Sequence, residues 1–244
     1  MSFAYCRDCP ACHASVPGVC YNYFKLNNNG GRPDGTPTMY IAGREHQLES
    51  IHASFFGQSS FSRLTICHGI SVIPVSPKFD SIPVETLAAF RCGFQMGAGA
   101  TMIVINPAQT KPRMLAIFGV GAVGFSALFA AKATCPPETQ IIVMDLTPSR
   151  LKLAQEYGAK TINGRDVDLN VDGSLLEAVK QVAGGVALDA PIDMTGHTKL
   201  VAQIIGALAP LGKLVTLANS GWTSKVEIKL ADLMMNAKQW VGSI

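Results

Sequence analysis

Two groups of residues in this sequence have the types and spacing to do chemistry. The first lies at the N-terminus, where Cys6, Cys9, Cys12 and Cys20 form C-x2-C-x2-C-x7-C. Four thiolates this close together can surround one Zn²⁺ tetrahedrally, and a zinc filled by four protein ligands has no open position, so its role is structural. Pro10, Pro17 and Gly18 help the chain turn around such an ion. An iron–sulfur cluster is a rival, because bacterial ferredoxins use C-x2-C-x2-C-x3-C-P. Here the last gap is seven residues and Tyr21 follows instead of proline. Disulfides would leave one of the seven cysteines unpaired, and free buried thiols would not explain the spacing.

The second group is Gly119-Val120-Gly121-Ala122-Val123-Gly124 with Asp145 behind it. In a G-x-G-x-x-G turn, Gly119 makes the tight bend, Gly121 lets a pyrophosphate approach the backbone, and Gly124 lets the following helix pack closely. The helix N-terminus offers free N–H groups and a positive dipole end to phosphates. Asp145 stands 21 residues beyond Gly124, where a carboxylate accepts hydrogen bonds from an adenosine ribose. Its charge would repel a 2′-phosphate, which favours NAD over NADP, whereas Arg150 nearby is the kind of residue that accommodates that phosphate.

These glycines and this acid need a strand, a helix and a second strand to position them. Leu115 to Phe118 reads as a buried strand, Phe125 to Ala133 as a helix, and Gln140 to Met144 as the next strand. Thr147 caps a helix with Pro148 at its first position, closed by Tyr157-Gly158. Ser174-x-x-Glu177 reads as a capping box opening Leu175 to Ala183. Ile192 to Met194, Thr198 to Leu208 and Lys213 to Ala218 complete a second βαβ half. This alternation predicts an α/β fold: a Rossmann-type, doubly wound parallel sheet with helices on both faces. Ahead of it, Ala53 to Phe56 and Ile70 to Val75 read as strands of a small β-rich region, and Asn27 to Gly31 as a loop. Pro83 to Ala89 begins a helix.

A transmembrane span competes for the same stretch, since Met114 to Ala131 is 18 residues without a charge, the lower limit for crossing a bilayer. Three glycines within six residues are costly in a helix interior, and a buried strand-turn-helix gives the same hydropathy, so no membrane partner is expected. The net charge of +3 carries no long basic block, which argues against nucleic acid. No apolar signal core opens the chain, so a cytoplasmic location is the expectation. With 48% hydrophobic and 15% charged residues, the composition is that of a globular chain, not a disordered one.

Several motifs together carry a family resemblance. Cys6 to Cys20, followed by Gly31-Arg32-Pro33-Asp34-Gly35, resembles the structural-zinc lobe of the zinc-containing alcohol dehydrogenases of the medium-chain dehydrogenase/reductase superfamily, aryl-alcohol branch. Phe55 to Phe61 resembles the strand region after that lobe. Cys92-Gly93-Phe94-Gln95-Met96-Gly97-Ala98-Gly99-Ala100 resembles the family's C-G-x-x-T-G-x-G segment, with Met96 where the family has threonine.

The resemblance implies a partial GroES-like catalytic domain over 1–91, with the zinc lobe at 6–20, and an NAD-binding domain over 92–244. It implies hydride transfer between a primary or aryl alcohol and NAD, with Zn²⁺ as the second cofactor. Cys92 matches a catalytic-zinc ligand, and the other two ligands lie in a segment that this chain is expected to lack. His46, His52, His68 and Cys67 stand outside the family's ligand motifs. Arg150 would bond the ribose beside Asp145, while Thr195-Gly196 and Leu217-Ala218 would flank the nicotinamide. A chain shortened at both ends would leave sheet edges uncovered, which favours self-association, and a catalytically silent dinucleotide- and zinc-binding protein is the alternative.

Overall fold

The structure is a computed structural model that describes residues 3–32, 36, 39, 51, 56, 63–65, 67, 69, 72–185, 187–218 and 220–243. The chain divides into two compact units, Met1–Val84 and Glu85–Ile244; the sequence reading drew the division between 91 and 92.

In the first unit the cysteine-bearing stretch forms α1 (Pro10–His13), a 3₁₀ turn at Pro17–Val19 and α2 (Tyr23–Asn27). Proline occupies the first turn of both α1 and the 3₁₀ turn, where its missing N–H costs nothing. Asn27 is not loop, as the run of asparagines suggested, but the buried last residue of α2. Its amide accepts from the Ala4 N–H at 2.8 Å and donates to the carbonyls of Ala4 and Tyr23. A side chain that satisfies backbone groups in this way is worth burying, which polarity alone did not reveal. Of the expected strand Ile70 to Val75, the described part, Val72–Val75, has no regular structure, and Val72, Ile73 and Val75 are exposed. An apolar run becomes a strand only where a ladder partner takes its N–H and C=O groups. The strand expected at 53–56 lies outside the described residues except for Phe56, which sits in a turn at φ +55°.

The second unit is built on six parallel strands: β1 (Met114–Phe118), β2 (Gln140–Asp145), β3 (Lys160–Asn163), β4 (Ala190–Asp193), β5 (Lys213–Thr216) and β6 (Gln239–Gly242). Their order across the sheet is β3-β2-β1-β4-β5-β6, the doubly wound arrangement. Ahead of the sheet come α3 (Val84–Leu87), α4 (Gly93–Gly99), a π-helical continuation over Ala100–Ile105, and α5 (Pro107–Thr110). The crossover and flanking helices are α6 (Ala122–Thr134), α7 (Pro148–Glu156), α8 (Ser174–Ala183), α9 (Thr198–Gly206) and α10 (Leu230–Met235).

Every side chain of β1 is buried, because alternate residues enter two cores. Met114, Ala116 and Phe118 pack with α8 and α9 through Leu175, Val179, Leu200 and Ile204. Leu115 and Ile117 pack with α6 and α7 through Ala127, Leu128, Leu151 and Ala154. A strand covered on both faces reads as a continuous apolar run, so the uncharged stretch from Met114 to Ala131 is β1, the glycine turn and most of α6. No single helix among the described residues is long and apolar enough to cross a membrane; Val84–Arg91 and Gly93–Thr110 reach that length only as a pair bent by 48°.

Two expected caps are absent. Thr147 precedes α7 without a side-chain cap, and its N–H donates to Asp145 Oδ1 at 2.8 Å. Gly173, at φ +84°, precedes α8, so Ser174 is its first residue and no capping box forms. The Ser174 hydroxyl donates to the Asp168 carbonyl and Glu177 pairs with Lys180 instead. A backbone turn that only glycine adopts easily has replaced the side-chain cap.

Lys238 closes the far end of the sheet. Its side chain is 3% exposed, and Nζ donates to the last carbonyls of α9, Ile205 and Gly206, and to Asp232 at 2.7 Å. A cation suits a helix C-terminus, and this one fastens α10 and β6 to α9. Lys238→Met removes the charge but little volume and leaves three acceptors without their donor. We expect roughly 3 kcal/mol of destabilisation, read as a lower urea midpoint at unchanged slope.

Candidate functional site

The four cysteines converge. Cys9 precedes α1 and Cys12 lies within it, three residues apart and so on one helix face. Arg7, at φ +67°, bends the chain to bring Cys6 alongside, and Cys20 follows the 3₁₀ turn. Their sulfurs all lie within 4.8 Å of one another. Cys9–Cys12 and Cys6–Cys20 are 3.5 Å apart, Cys6–Cys12 and Cys9–Cys20 3.9 Å. A tetrahedral zinc with bonds of about 2.3 Å needs sulfurs about 3.8 Å apart, so the group fits one such ion. A disulfide needs about 2.0 Å, and a cage of several irons and sulfides would force the sulfurs farther apart than they are.

Backbone N–H groups point at the sulfurs: Asp8 and Cys9 donate to Cys6 Sγ, Tyr21 to Cys9 Sγ and Cys6 to Cys20 Sγ. The Asp8 N–H, then the Asn22 side chain, hold the Cys6 thiol down at about 6, and the Tyr21 N–H lowers Cys9. Burial, then the neighbouring Cys9 thiol, push Cys12 up to about 12.

The glycine turn also forms as its spacing requires. Gly119 has φ +89°, and a Cβ there would meet Thr195 Cγ2 at 3.1 Å. A Cβ on Gly124 would lie 2.1 Å from the Gly119 carbonyl oxygen, whereas one on Gly121 would meet nothing within 4 Å. The first and third glycines are therefore demanded by the protein, and the second leaves open space on the ligand side. Asp145 ends β2 almost buried, with Oδ2 accepting from the Val120 N–H at 2.7 Å and Oδ1 from the Thr147 N–H. Arg150, about half exposed, stands 3.9 Å from Oδ2. A carboxylate has about four acceptor positions, so Asp145 can hold the turn and still accept from a ligand.

Gly119, Gly121, Ala122, Val123, Gly124, Asp145, Arg150 and Thr195 come together around one cleft of about 510 Å³, at the carboxyl ends of the strands. Val120 contributes its N–H from a buried position, and Gly196 donates to Asp193 behind the wall. Leu217 and Ala218 do not line the cleft; Leu217 packs against the core beside β5. Two residues outside the sequence motifs also line the cleft: Leu146, an exposed apolar residue beside the acid, and His197, which precedes α9 with Nδ1 accepting from the Leu200 N–H. A histidine at a helix start directly after a strand-ending Thr-Gly was the available signal. A larger hollow of about 750 Å³ lies along α8, α9 and Lys225 to Asp232. Its Lys229 and Lys199 are already paired with Asp172 and Asn170, so it offers anions less than the glycine turn does.

Cys92 precedes α4, exposed, with Sγ 3.9 Å from Met96 Sδ. Among the described residues it belongs to no group of three metal-ligating side chains, and neither does Cys67. His46, His52 and His68 lie outside the described residues.

A parallel sheet ordered β3-β2-β1-β4-β5-β6 with a glycine cleft at its switch point is the arrangement of dinucleotide-binding folds, and the four-sulfur knot has the spacing of a metal site. The family model described as zinc-binding dehydrogenase matches residues 119–244, more than half of the sequence, and the chain belongs to that family. It is 33% identical over 237 residues to geraniol dehydrogenase of Castellaniella defragrans, covering 96% of this chain and 58% of that protein. Two crystal structures are similar over 99% of this chain. One is an alcohol dehydrogenase zinc-binding domain protein from Burkholderia ambifaria (30% identity, TM-score 0.83, 61% of that chain). The other is benzyl alcohol dehydrogenase from Acinetobacter calcoaceticus (29%, 0.80, 60%). The chain thus spans about six-tenths of the length of the proteins it resembles.

Zinc uptake by the metal-free chain should release protons near neutral pH, because Cys12 holds its proton until a metal displaces it. Affinity should therefore already fall with pH through neutrality, and more steeply below about 6, where Cys6 also becomes protonated. Calorimetry in two buffers of different ionisation enthalpy reads both effects. Cys9→Ser should lose the metal, whereas iron with sulfide in the purified chain would refute the zinc assignment.

Proposed function

We propose that this chain carries the coenzyme-binding part of an NAD-dependent, zinc-type alcohol dehydrogenase. The reaction is RCH₂OH + NAD⁺ → RCHO + NADH + H⁺, with a primary, aryl or similarly unsaturated alcohol as substrate. Geraniol and benzyl alcohol, for which two similar proteins are named, are both primary alcohols next to an unsaturated carbon. NAD, when bound, supplies the hydride acceptor.

The observation that carries the reading is Asp145, set at the end of β2 with its carboxylate against the Val120 N–H of the glycine turn. In this reading the turn and the start of α6 bind the pyrophosphate, and Asp145 accepts from the adenosine ribose with Arg150 beside it. Thr195 forms the opposite wall, and Gly196 holds the turn behind it. The four cysteines hold one structural zinc. NADH should bind more tightly than NADPH by about tenfold or more, the equivalent of 1.4 kcal/mol. Asp145→Asn, which keeps the size and removes the charge, should narrow that gap. Equal affinities for the two coenzymes in the unsubstituted chain would refute the role given to Asp145.

One observation favours a second reading, binding without turnover. Catalytic zinc requires three protein ligands and an open position, and Cys92 has no such company among the described residues. The described residues therefore do not fit a catalytic zinc. Purified 244-residue chain, supplied with zinc, NAD and benzyl alcohol, is expected to bind the coenzyme without producing aldehyde. Turnover that disappears in Cys92→Ser would show that other residues complete the site.

A further inference from the structure

One buried charge takes no part in the assignments above. Asp193 ends β4 and is fully buried. Its register partner is Phe118, the last residue of β1, so it stands beside the glycine turn on the flank opposite Asp145. A carboxylate this deep is tolerated only if donors surround it, and here the donors come from a single stretch. Oδ1 accepts from the Thr195 N–H at 3.0 Å and the Thr195 hydroxyl at 2.6 Å, and Oδ2 accepts from the Gly196 N–H at 3.1 Å.

The chain of bonds continues outward. The Thr195 hydroxyl donates to Asp193 and accepts from the His197 N–H at 3.1 Å. His197 Nδ1 then accepts from the Leu200 N–H in the first turn of α9. Thr195, His197 and Leu200 all line the glycine cleft. Thr195 Cγ2 also fills the space above Gly119 where a Cβ would otherwise sit. The Ser220 hydroxyl donates to the Gly196 carbonyl, and the Leu217 N–H to the Asp193 carbonyl, tying the same turn to the end of β5.

We propose that Asp193 is a positioning residue for the dinucleotide: through Thr195 it fixes the wall of the cleft that faces Asp145. This inference rests on the dinucleotide reading of the cleft. Stability alone would be served as well by an apolar residue, as at Ile192 and Val215 on the neighbouring core positions. A buried charge whose donors all belong to the Thr195-Gly196 turn, whose Thr195 forms one wall of the cleft, instead specifies where that wall stands.

The test is NADH affinity, followed by coenzyme fluorescence at a temperature where every variant is shown to be folded. Asp193→Asn keeps the volume but turns an N–H group toward a donor. Thr195→Val keeps the shape but loses the hydroxyl, and Thr195→Ser restores it. We expect Asp193→Asn and Thr195→Val each to weaken NADH by about fivefold or more, in line with losing one or two buried hydrogen bonds. The double variant should be no weaker than the weaker single one, because both remove one bond. Thr195→Ser should bind more tightly than Thr195→Val. If Asp193→Asn fails to fold, the valine–serine comparison decides alone.

A folded Asp193→Asn that melts earlier yet binds NADH within about twofold of the unsubstituted chain would overturn the proposal, as would losses that multiply in full in the double variant. Equal affinities of the serine and valine variants would do the same. Failure of the unsubstituted chain to bind NADH would overturn the dinucleotide reading and this inference with it. Binding that is indifferent to Asp193 and Thr195 would overturn this inference alone.

Discussion

The second unit depends on one close approach. The start of α6 lies so near the end of β1 that a single methyl group at Gly124 would overlap the Gly119 carbonyl oxygen. With no side chain between them, the helix aims its first N–H groups at the space above the turn, and this makes an anion site out of backbone. Parallel pairing then sets the rest. Phe118 is in register with Met144 on one side and Asp193 on the other, so two carboxylates arrive at the flanks of the same turn. Each is held by N–H groups at a strand end: Asp145 by Val120 and Thr147, Asp193 by Thr195 and Gly196.

Much of this was legible in the sequence because its determinants are local. A buried strand, a glycine turn and a helix within twenty residues need no distant partner to be recognised. Gln140 to Asp145 is similarly plain, being almost wholly apolar up to its acid. The four cysteines were legible for a different reason, since sulfur ligands at short spacing have few other uses. Asp193 carried no such signal. The residue type is common, and its importance comes from register against β1, which sequence does not display.

The misses share a physical cause. The caps expected at Thr147 and Ser174 were read from side-chain chemistry, but the backbone offered other solutions: an acid already in place at Asp145, and glycine at 173. β3 and β6 are no shorter than β4 and β5, but as the two edges of the sheet they bury little, so no apolar run marks them and they exist because a neighbour supplies the ladder. Val72 to Val75 had the composition of a strand and none of that support. Lys238, a lysine by type a surface residue, is buried by three acceptors from elements more than thirty residues apart in part.

The two units differ in what can hold them. The second has two extensive cores, one on each face of its sheet. Among the described residues of the N-terminal lobe, burial is confined to Cys9, Cys20, Asn27 and Gly31. A metal held by the four sulfurs would cross-link the stretch from Cys6 to Cys20 and add its binding free energy to folding there. Two of these four buried residues belong to the sulfur group, and a third is the amide that clamps Ala4 to α2. The N–H groups of Asp8, Cys9 and Tyr21 are aimed at the sulfurs of Cys6 and Cys9, an arrangement that favours their thiolate forms and hence a cation beside them. The N-terminal lobe thus gathers four sulfurs where one ion would join them, while the open space above the glycine turn follows from how α6 packs on β1.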